Sequence, residues 1–92
     1  MEVILLDYED IIRLSVEYLL KKRNVPIKTF ENHKDYMEHY GNNSDRNNKI
    51  IISSDISESK SYGYVYLKKP YTAEELFNLI KQLGNFKFDN VL

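Results

Sequence analysis

The chain of 92 residues contains no cysteine, and this absence excludes two classes of site. Disulfide bonds need paired thiols, and thiolate metal centres need thiols as ligands, so neither can form. An excess of charge of either sign is also missing, because 13 basic and 14 acidic side chains leave a net charge of −1. The sequence therefore lacks the electrostatic field that draws a protein to nucleic acid or to an anionic membrane.

Long apolar runs are scarce as well. The first of them, residues 3–6, ends at Asp7 and is too short for a signal peptide or a membrane-spanning helix. We therefore expect a cytoplasmic protein. We also expect a single domain, because a chain of this length suffices for one modest core. The domain is predicted to cover residues 1–85, with residues 86–92 as a C-terminal tail.

What the sequence does contain is an alternation of strand and helix patterns. Continuous apolar runs predict strands, and apolar residues at helical spacing, such as Ile12, Val16, Leu19 and Leu20, predict amphipathic helices. Thr72 and Glu75 form a capping box, so the last helix is expected to begin at Ala73. The predicted strands are residues 3–6, 26–30, 49–54 and 65–67, and helices follow the first, second and last of them.

This order of elements predicts an α/β fold with a parallel sheet, a shortened three-layer architecture of the flavodoxin-like kind. We expect four strands in the spatial order 2-1-3-4, with the first strand central because its side chains are apolar throughout. Right-handed crossovers then place the carboxyl ends of all strands at one edge.

Polar residues follow three of these strand ends. Asp7, Lys69 and the stretch with Ser53 and Asp55 should meet in the crevice where open α/β sheets bind ligands. The alternative is structural: Asp7 and Asp55 cap the following helices, and Lys69 pairs with one of them.

Three stretches resemble one known family and together cover the larger part of the chain. VILLDYEDIIRLSVEYLL resembles the first strand and helix of response-regulator receiver domains, the phospho-acceptor modules of two-component signalling. IKTFENHKDYMEHY is similar to their second strand and helix. GYVYLKKPYTAEELFNLIKQLG resembles their last strand and helix, including a Lys-Pro-aromatic signature that is fairly specific.

The resemblance implies roles for several residues. Asp55 would be the phospho-acceptor, and Lys69 would reach the aspartyl phosphate as a compact charge that can follow the forming group. Pro70 would form a cis peptide bond that aims the lysine, and Tyr66 would be the switch aromatic. Mg²⁺ would bind through carboxylate and water oxygens, with Asp7 and Asp55 among its ligands.

The sequence departs from the family pattern at the metal and acceptor positions. Receivers carry an acidic pair after the first strand, but here Asp7 is followed by Tyr8, and Glu9 usually points into the next helix. Losing one anionic ligand should weaken Mg²⁺ binding. Two serines separate Asp55 from the third strand's apolar run, so Ser53 falls closer to the acceptor position. Alternatively, IIISS is the family's fourth strand, with Ser53 as the switch hydroxyl.

The chain is also shorter than a complete receiver. Five strand–helix pairs would need about 110–125 residues at usual element and loop lengths. The shortfall lies at residues 54–63, because a parallel crossover normally takes about a dozen residues. One or two helical turns over residues 57–62 would suffice. A hairpin is the alternative, and it would make the last strand antiparallel and remove Lys69 from the site.

The remaining sequence signals are weak. His33 and His39 are not at the spacing of a helical metal pair, so we interpret both as surface residues. No glycine-rich phosphate loop or nucleophile elbow is present. NNSDRNN is predicted to be a polar loop, and the tail NFKFDNVL to be an added strand, a partner-binding arm or a disordered end.

Two functional hypotheses follow. The first is a non-enzymatic receiver-like module, without efficient phosphoryl chemistry or a cofactor, that binds a signalling protein such as a histidine kinase-like partner or a second copy of itself. In it, Asp7 and Lys69 would form a direct ion pair that closes the pocket. The second hypothesis is a Mg²⁺-dependent phospho-acceptor domain of a phosphorelay. Neither includes nucleic acid or a membrane as a partner.

Overall fold

The computed structural model describes residues 2–41 and 48–84. The predicted tail lies outside these ranges, as does nearly all of the predicted polar loop at residues 42–48. The described residues form four strands and four helices in alternation: β1 (Glu2–Leu6), α1 (Asp10–Lys21), β2 (Ile27–Phe30), α2 (His33–Tyr40), β3 (Lys49–Ser53), α3 (Ile56–Tyr62), β4 (Val65–Tyr66) and α4 (Ala73–Gly84).

The four strands are parallel and lie in the order β2-β1-β3-β4. This confirms the predicted α/β fold, a shortened flavodoxin-like sheet. Strand β1 is central, and its residues 3–6 are at most 1% exposed because helices cover both of its faces. Such double burial is the reason that this strand is a continuous apolar run rather than an alternating one.

The short crossover between β3 and β4 is helical. Helix α3 begins after Asp55 and ends before Gly63, whose φ of 72° lies in the left-handed region that glycine adopts without a Cβ clash. The seven residues of α3 span the crossover and bring β4 in parallel to β3. The hairpin alternative is therefore wrong, and Lys69 remains at the carboxyl edge of the sheet.

Two apolar cores lie on the two faces of the sheet. Val3 and Leu5 of β1 pack against residues of α1 and α4, whereas Ile4 and Leu6 pack with Tyr36 of α2 on the other face. Strand side chains alternate between the faces, so one strand supplies both cores. None of the helices in the described part of the chain is both long and apolar enough to cross a membrane.

The helix boundaries follow the sequence signals closely, with one difference in burial. Thr72 Oγ1 accepts a hydrogen bond from the Glu75 backbone N–H at 3.0 Å, so the predicted capping box starts α4. Leu19, however, which the helical spacing groups with Ile12, Val16 and Leu20, is 46% exposed. The stripe of α1 that contacts the sheet is centred on Val16 and Leu20, which leaves Leu19 at its margin.

Candidate functional site

Two polar clusters lie at the carboxyl edge of the sheet, one on each face. The register pairs Leu6 with Ser53, so Asp7, one residue further along, projects to the opposite face from Ser53. We call the first group the Asp7 cluster; it consists of Asp7, Glu9, Lys69 and Tyr71. We call the second the Glu58 cluster; it consists of Glu58, Ser53, His33, Tyr62 and Tyr64.

Asp7 is buried, and both of its carboxylate oxygens accept hydrogen bonds. Oδ1 accepts from Lys69 Nζ at 2.8 Å and from the Glu9 backbone N–H at 2.9 Å, and Oδ2 accepts from the Tyr71 hydroxyl. The Arg13 guanidinium donates to the Asp7 backbone oxygen at 2.6 Å. A buried carboxylate is costly unless its lone pairs are satisfied, and these donors satisfy them.

Lys69 bridges two carboxylates. Its ammonium donates to Asp7 and also to Glu9 Oε1, and it lies 4.2 Å from the centre of the Tyr8 ring. A cation at that distance from an aromatic face is attracted by the ring. Tyr8 and Glu9 are the residues at which the sequence departs from the acidic pair of receivers, and here both contact the lysine.

The Asp7 cluster shifts the protonation of its members. Burial disfavours the ionised form of Asp7, but the hydrogen bonds from Lys69 and Tyr71 outweigh it, so the pKa of this carboxyl is lowered. Burial likewise opposes the charged form of Lys69, yet its bonds to Asp7 and Glu9 raise the pKa of the ammonium. Burial and the adjacent Asp7 carboxylate raise the pKa of the Tyr71 hydroxyl. At neutral pH, Asp7 is therefore a carboxylate, Lys69 an ammonium and Tyr71 a neutral phenol.

The loop between β4 and α4 positions Lys69 and Tyr71. The Lys69–Pro70 peptide bond is cis, as the resemblance to receiver domains implies. Tyr66, the expected switch aromatic, is the last residue of β4 and is partly exposed. An open groove of about 390 Å³ separates the loop from α1; it is lined by Tyr8, Glu9, Ile12, Lys69, Pro70 and Tyr71.

The Glu58 cluster lies on the opposite face and engages Ser53. The Ser53 hydroxyl donates to Glu58 Oε1 at 2.8 Å and accepts from the Asp55 backbone N–H at 3.0 Å. The other oxygen of Glu58 accepts from the His33 backbone N–H at 2.7 Å. Ser53 is thus turned toward α3 and the start of α2, and away from the Asp7 cluster.

His33 is not the surface residue that its sequence context predicted. It is half-buried, its ring stacks on Tyr62 with 3.5 Å between ring centres, and its Nδ1 is 2.7 Å from the Tyr64 hydroxyl. The tertiary fold is responsible, because α3 returns the chain beside the start of α2. His39 is exposed, in agreement with the prediction.

Asp55 acts as the N-cap of α3. Its Oδ1 accepts from the Glu58 backbone N–H at 3.1 Å. Within residues 2–41 and 48–84, no hydrogen bond or ion pair joins Asp55 to Asp7 or Lys69. An open cavity of about 270 Å³ adjoins it; the lining residues are Leu6, Tyr8, Glu31, Asn32, Ser54, Asp55 and Glu58.

The residue that lies level with Asp7 is Ser54, which directly follows β3, rather than Asp55. The Ser54 backbone N–H donates to the Leu6 carbonyl at 3.0 Å, so the ladder between β1 and β3 continues one residue past the strand end. Asp55 therefore comes one residue beyond the position level with Asp7. The structure brings Asp7 and Lys69 together, and it places Ser53 and Asp55 in a separate set of contacts.

A magnesium ion takes oxygen ligands in a near-octahedral arrangement. Among the residues that the structure describes, no group of three or more His, Asp or Glu side chains is arranged so that it could hold a metal ion. The carboxylates of Asp7 and Glu9 do approach one another, but the Lys69 ammonium lies between them. A metal ion at this position would have to displace the lysine.

Several members of these clusters received no role from the sequence, and Tyr71 and Glu58 among them hydrogen-bond to Asp7 and Ser53. Tyr71 directly follows the Lys-Pro pair, and its hydroxyl reaches the carboxylate to which the lysine binds. Glu58 follows Asp55 by three residues, the spacing of a capping box, which is the signal that could have identified it. Its further contacts with Ser53 and His33 depend on the tertiary fold.

Comparison of the chain with models of protein families, with curated proteins and with solved structures found no significant match.

Proposed function

We propose that the chain is a receiver-like protein-interaction module in which a fixed ion pair takes the place of phosphoryl chemistry. The observation that carries this proposal is the Lys69 ammonium, which is in contact with both Asp7 and Glu9. The lysine that would compensate an incoming phosphoryl group is thereby committed to two carboxylates of the chain itself.

The energetic argument is one of competition for this lysine. Phosphoryl transfer to a carboxylate brings anions together, and cations must neutralise the charge that develops. To assist Asp55, Lys69 would have to leave Asp7, whose side chain is fully buried. Removing a hydrogen-bonded partner from a buried charge costs on the order of 1.5–3 kcal/mol. That cost opposes phosphoryl transfer to Asp55, because the transfer needs Lys69 beside Asp55.

The surroundings of Asp55 also oppose its phosphorylation. Its carboxylate oxygen is the cap of α3, and Glu31 and Glu58 line the same cavity. A phosphoryl group on Asp55 would break the cap and place additional negative charge near two carboxylates. Like charges in one site oppose further ionisation and raise the barrier to transfer.

The proposed partner is a protein, in the first place another signalling protein of the kind that receiver-like domains contact. The chain's small net charge of −1 makes nucleic acid or an anionic membrane a poor electrostatic match. The same proposal holds that the protein acts in the cytoplasm and that it is not an enzyme.

The test is incubation of the full chain with Mg²⁺ and a small-molecule phosphodonor, followed by intact mass measurement. We expect the mass to remain that of the unmodified chain under conditions that phosphorylate an active receiver run in parallel. The Asp55→Asn variant is the matched control. A phosphorylated species in the unmodified sequence that is missing from Asp55→Asn would overturn the proposal.

A Mg²⁺-dependent phospho-acceptor is the second candidate, and the exposure of Asp55 at the carboxyl edge of the sheet favours it. An exposed carboxylate is accessible to a donor, whereas the buried Asp7 is not. Titration with Mg²⁺ and beryllofluoride, followed by backbone amide shifts, discriminates between the two. Shifts centred on Asp7, Asp55 and Lys69 would support the acceptor, and an unchanged spectrum would support the interaction module.

A further inference from the structure

Lys69 occupies the position at which a metal ion would bridge the two carboxylates of the Asp7 cluster. Its Nζ lies 2.8 Å from Asp7 Oδ1 and also contacts Glu9 Oε1. Mg²⁺ in proteins is commonly held by one or two carboxylates and several waters, so Asp7 and Glu9 would suffice as its protein ligands. Here the same two oxygens bind an ammonium group, which is a compact cation.

Glu9 reaches Lys69 although its place in the chain offers it another role. It is the N-cap residue of α1, with an extended backbone at φ −92° and ψ 118°, and its side chain makes no capping hydrogen bond. A side chain at this position normally accepts from the first amides of its own helix. The Glu9 carboxylate instead bonds to a lysine 60 residues away in the sequence. Glu9 thereby supplies the second carboxylate that Tyr8, the residue after Asp7, does not.

A lack of access to the two carboxylates is not what opposes a metal ion. The groove of about 390 Å³ opens on Glu9 and Lys69, and the Lys69 side chain is 20% exposed. A hydrated ion can therefore approach the cluster from solvent. It would meet the ammonium at a separation of a few ångströms, where like charges repel strongly. The Tyr8 ring, with its centre 4.2 Å from Lys69 Nζ, attracts the ammonium and helps to keep it in place.

We propose that the Lys69 ammonium is the resident cation of this cluster and excludes divalent metal ions from a latent site formed by Asp7 and Glu9. The ions concerned are Mg²⁺, Mn²⁺ and Ca²⁺, which bind carboxylate and water oxygens. The inference deepens the proposed function, since it rests on the same ion pair. It makes the interaction module independent of Mg²⁺.

The first experiment removes the ammonium from the full chain. Lys69→Ala leaves Asp7 and Glu9 without a cation between them and opens space for a hydrated ion. Mn²⁺ is the probe, because it takes the same oxygen ligands as Mg²⁺ and broadens the amide signals of nearby residues. We expect the dissociation constant for Mn²⁺ to fall by about tenfold or more relative to the unmodified chain, since affinity rises with the negative charge of the ligand set. The broadening should centre on residues 7–10.

Lys68→Ala is the matched control, because it removes the same charge from the adjacent lysine, whose side chain is exposed. Its dissociation constant for Mn²⁺ at the cluster should equal that of the unmodified chain. An equal gain in Lys68→Ala and Lys69→Ala would overturn the proposal. The same holds for a Lys69→Ala variant that does not bind Mn²⁺ at residues 7–10.

A second pair of variants tests whether Glu9 is a ligand of the latent site. In the Lys69→Ala background, Glu9→Gln removes one of the two proposed carboxylates and should cancel the gain in Mn²⁺ affinity. Asp10→Asn in the same background removes the adjacent carboxylate, which pairs with Arg13, and should keep the gain. A gain that survives Glu9→Gln, or one that disappears with Asp10→Asn, would contradict the assignment of the two ligands.

Circular dichroism of the same samples monitors folding. If Lys69→Ala is unfolded without metal, millimolar MgCl₂ should restore the folded state, because a ligand that binds only the folded chain stabilises it. A variant that stays unfolded in MgCl₂ would count against the latent site. The result is separable from that of the proposed function. An unmodified chain that resists phosphorylation but binds Mn²⁺ at Asp7 as tightly as Lys69→Ala would leave the proposed function standing and overturn this inference.

Discussion

The Asp7 carboxylate receives hydrogen bonds from three donors, two of which come from a distant part of the sequence. Lys69 and Tyr71 lie more than sixty residues away along the chain, whereas the Glu9 amide is local. The cluster therefore ties the carboxyl end of β1 to the start of α4. The pairing of Lys69 with Asp7 is a structural contact in its own right, whatever further function the carboxyl edge has.

Replacement of Lys69 measures the strength of that contact. Lys69→Met keeps much of the side-chain volume but leaves the buried Asp7 carboxylate without its ammonium partner. We expect the free energy of unfolding to fall by about 1.5–3 kcal/mol, as for loss of a hydrogen bond to a buried charge. Urea unfolding at neutral pH provides the measurement.

Lys68→Met is the matched control, because Lys68 is the adjacent residue and its side chain is exposed. A surface substitution of this kind should change the free energy of unfolding by less than about 0.5 kcal/mol. Equal effects of the two substitutions would show that the Lys69 contacts contribute nothing beyond a surface charge.

At the scale of secondary-structure elements, α3 has the largest influence on the site. It closes the crossover in seven residues, which directs β4 parallel to β3 and leads the following loop back toward β1. Its first turn also places Glu58 against Ser53 and the start of α2. One short helix thus brings Lys69 to Asp7 and at the same time keeps Ser53 away from it.

The N-cap of α3 allows the structural role of Asp55 to be measured separately from any role as a phospho-acceptor. Asp55→Ala removes the acceptor for the Glu58 amide and should lower the free energy of unfolding by about 0.5–2 kcal/mol. Asp55→Asn retains an equally good capping oxygen and should change it by less than about 0.5 kcal/mol. Thermal or urea unfolding of both variants checks the difference. Equal stability of the Ala and Asn variants would mean that the cap does not support α3.

At the scale of the whole molecule, the Asp7 cluster makes stability depend on pH. The pKa of Asp7 is lower in the folded chain than its usual value of 3.8. The contribution of the ion pair is therefore complete above about pH 4 and is lost as pH falls through the lowered pKa. Below it, the Asp7 carboxyl is protonated and the ion pair between Lys69 and Asp7 is lost.

The expected result is that Lys69→Met becomes less costly in acid. The difference in unfolding free energy between the unmodified chain and the variant should be largest at neutral pH and should shrink below about pH 4. Urea unfolding curves of both proteins at neutral pH and below about pH 4 measure this change. The Lys68→Met variant corrects for the general effect of removing one positive charge. A difference that stays constant with pH would contradict the assignment of Asp7 as the titrating partner.

The sequence by itself determined the elements and their order in space. Apolar runs and capping residues depend on neighbours within a few positions, so the strands and the capping box of α4 are readable locally. For residues 54–63 the sequence left a helical turn and a hairpin as alternatives, and the structure decided for α3. The double burial of β1 is readable for the same reason, since a strand covered on both faces needs no polar side chain. The four-stranded order follows from these elements and from the handedness of crossovers.

Only the tertiary structure decided which polar residues meet. A shift of one residue along a strand moves a side chain to the other face of the sheet, and this parity separates Ser53 from Asp7 although both follow apolar runs. His33 became half-buried because α3 returns beside α2, which no local pattern encodes. Asp7, Lys69 and Tyr71 join through contacts more than sixty residues apart, and their energies depend on burial that exists only once the sheet and helices have packed.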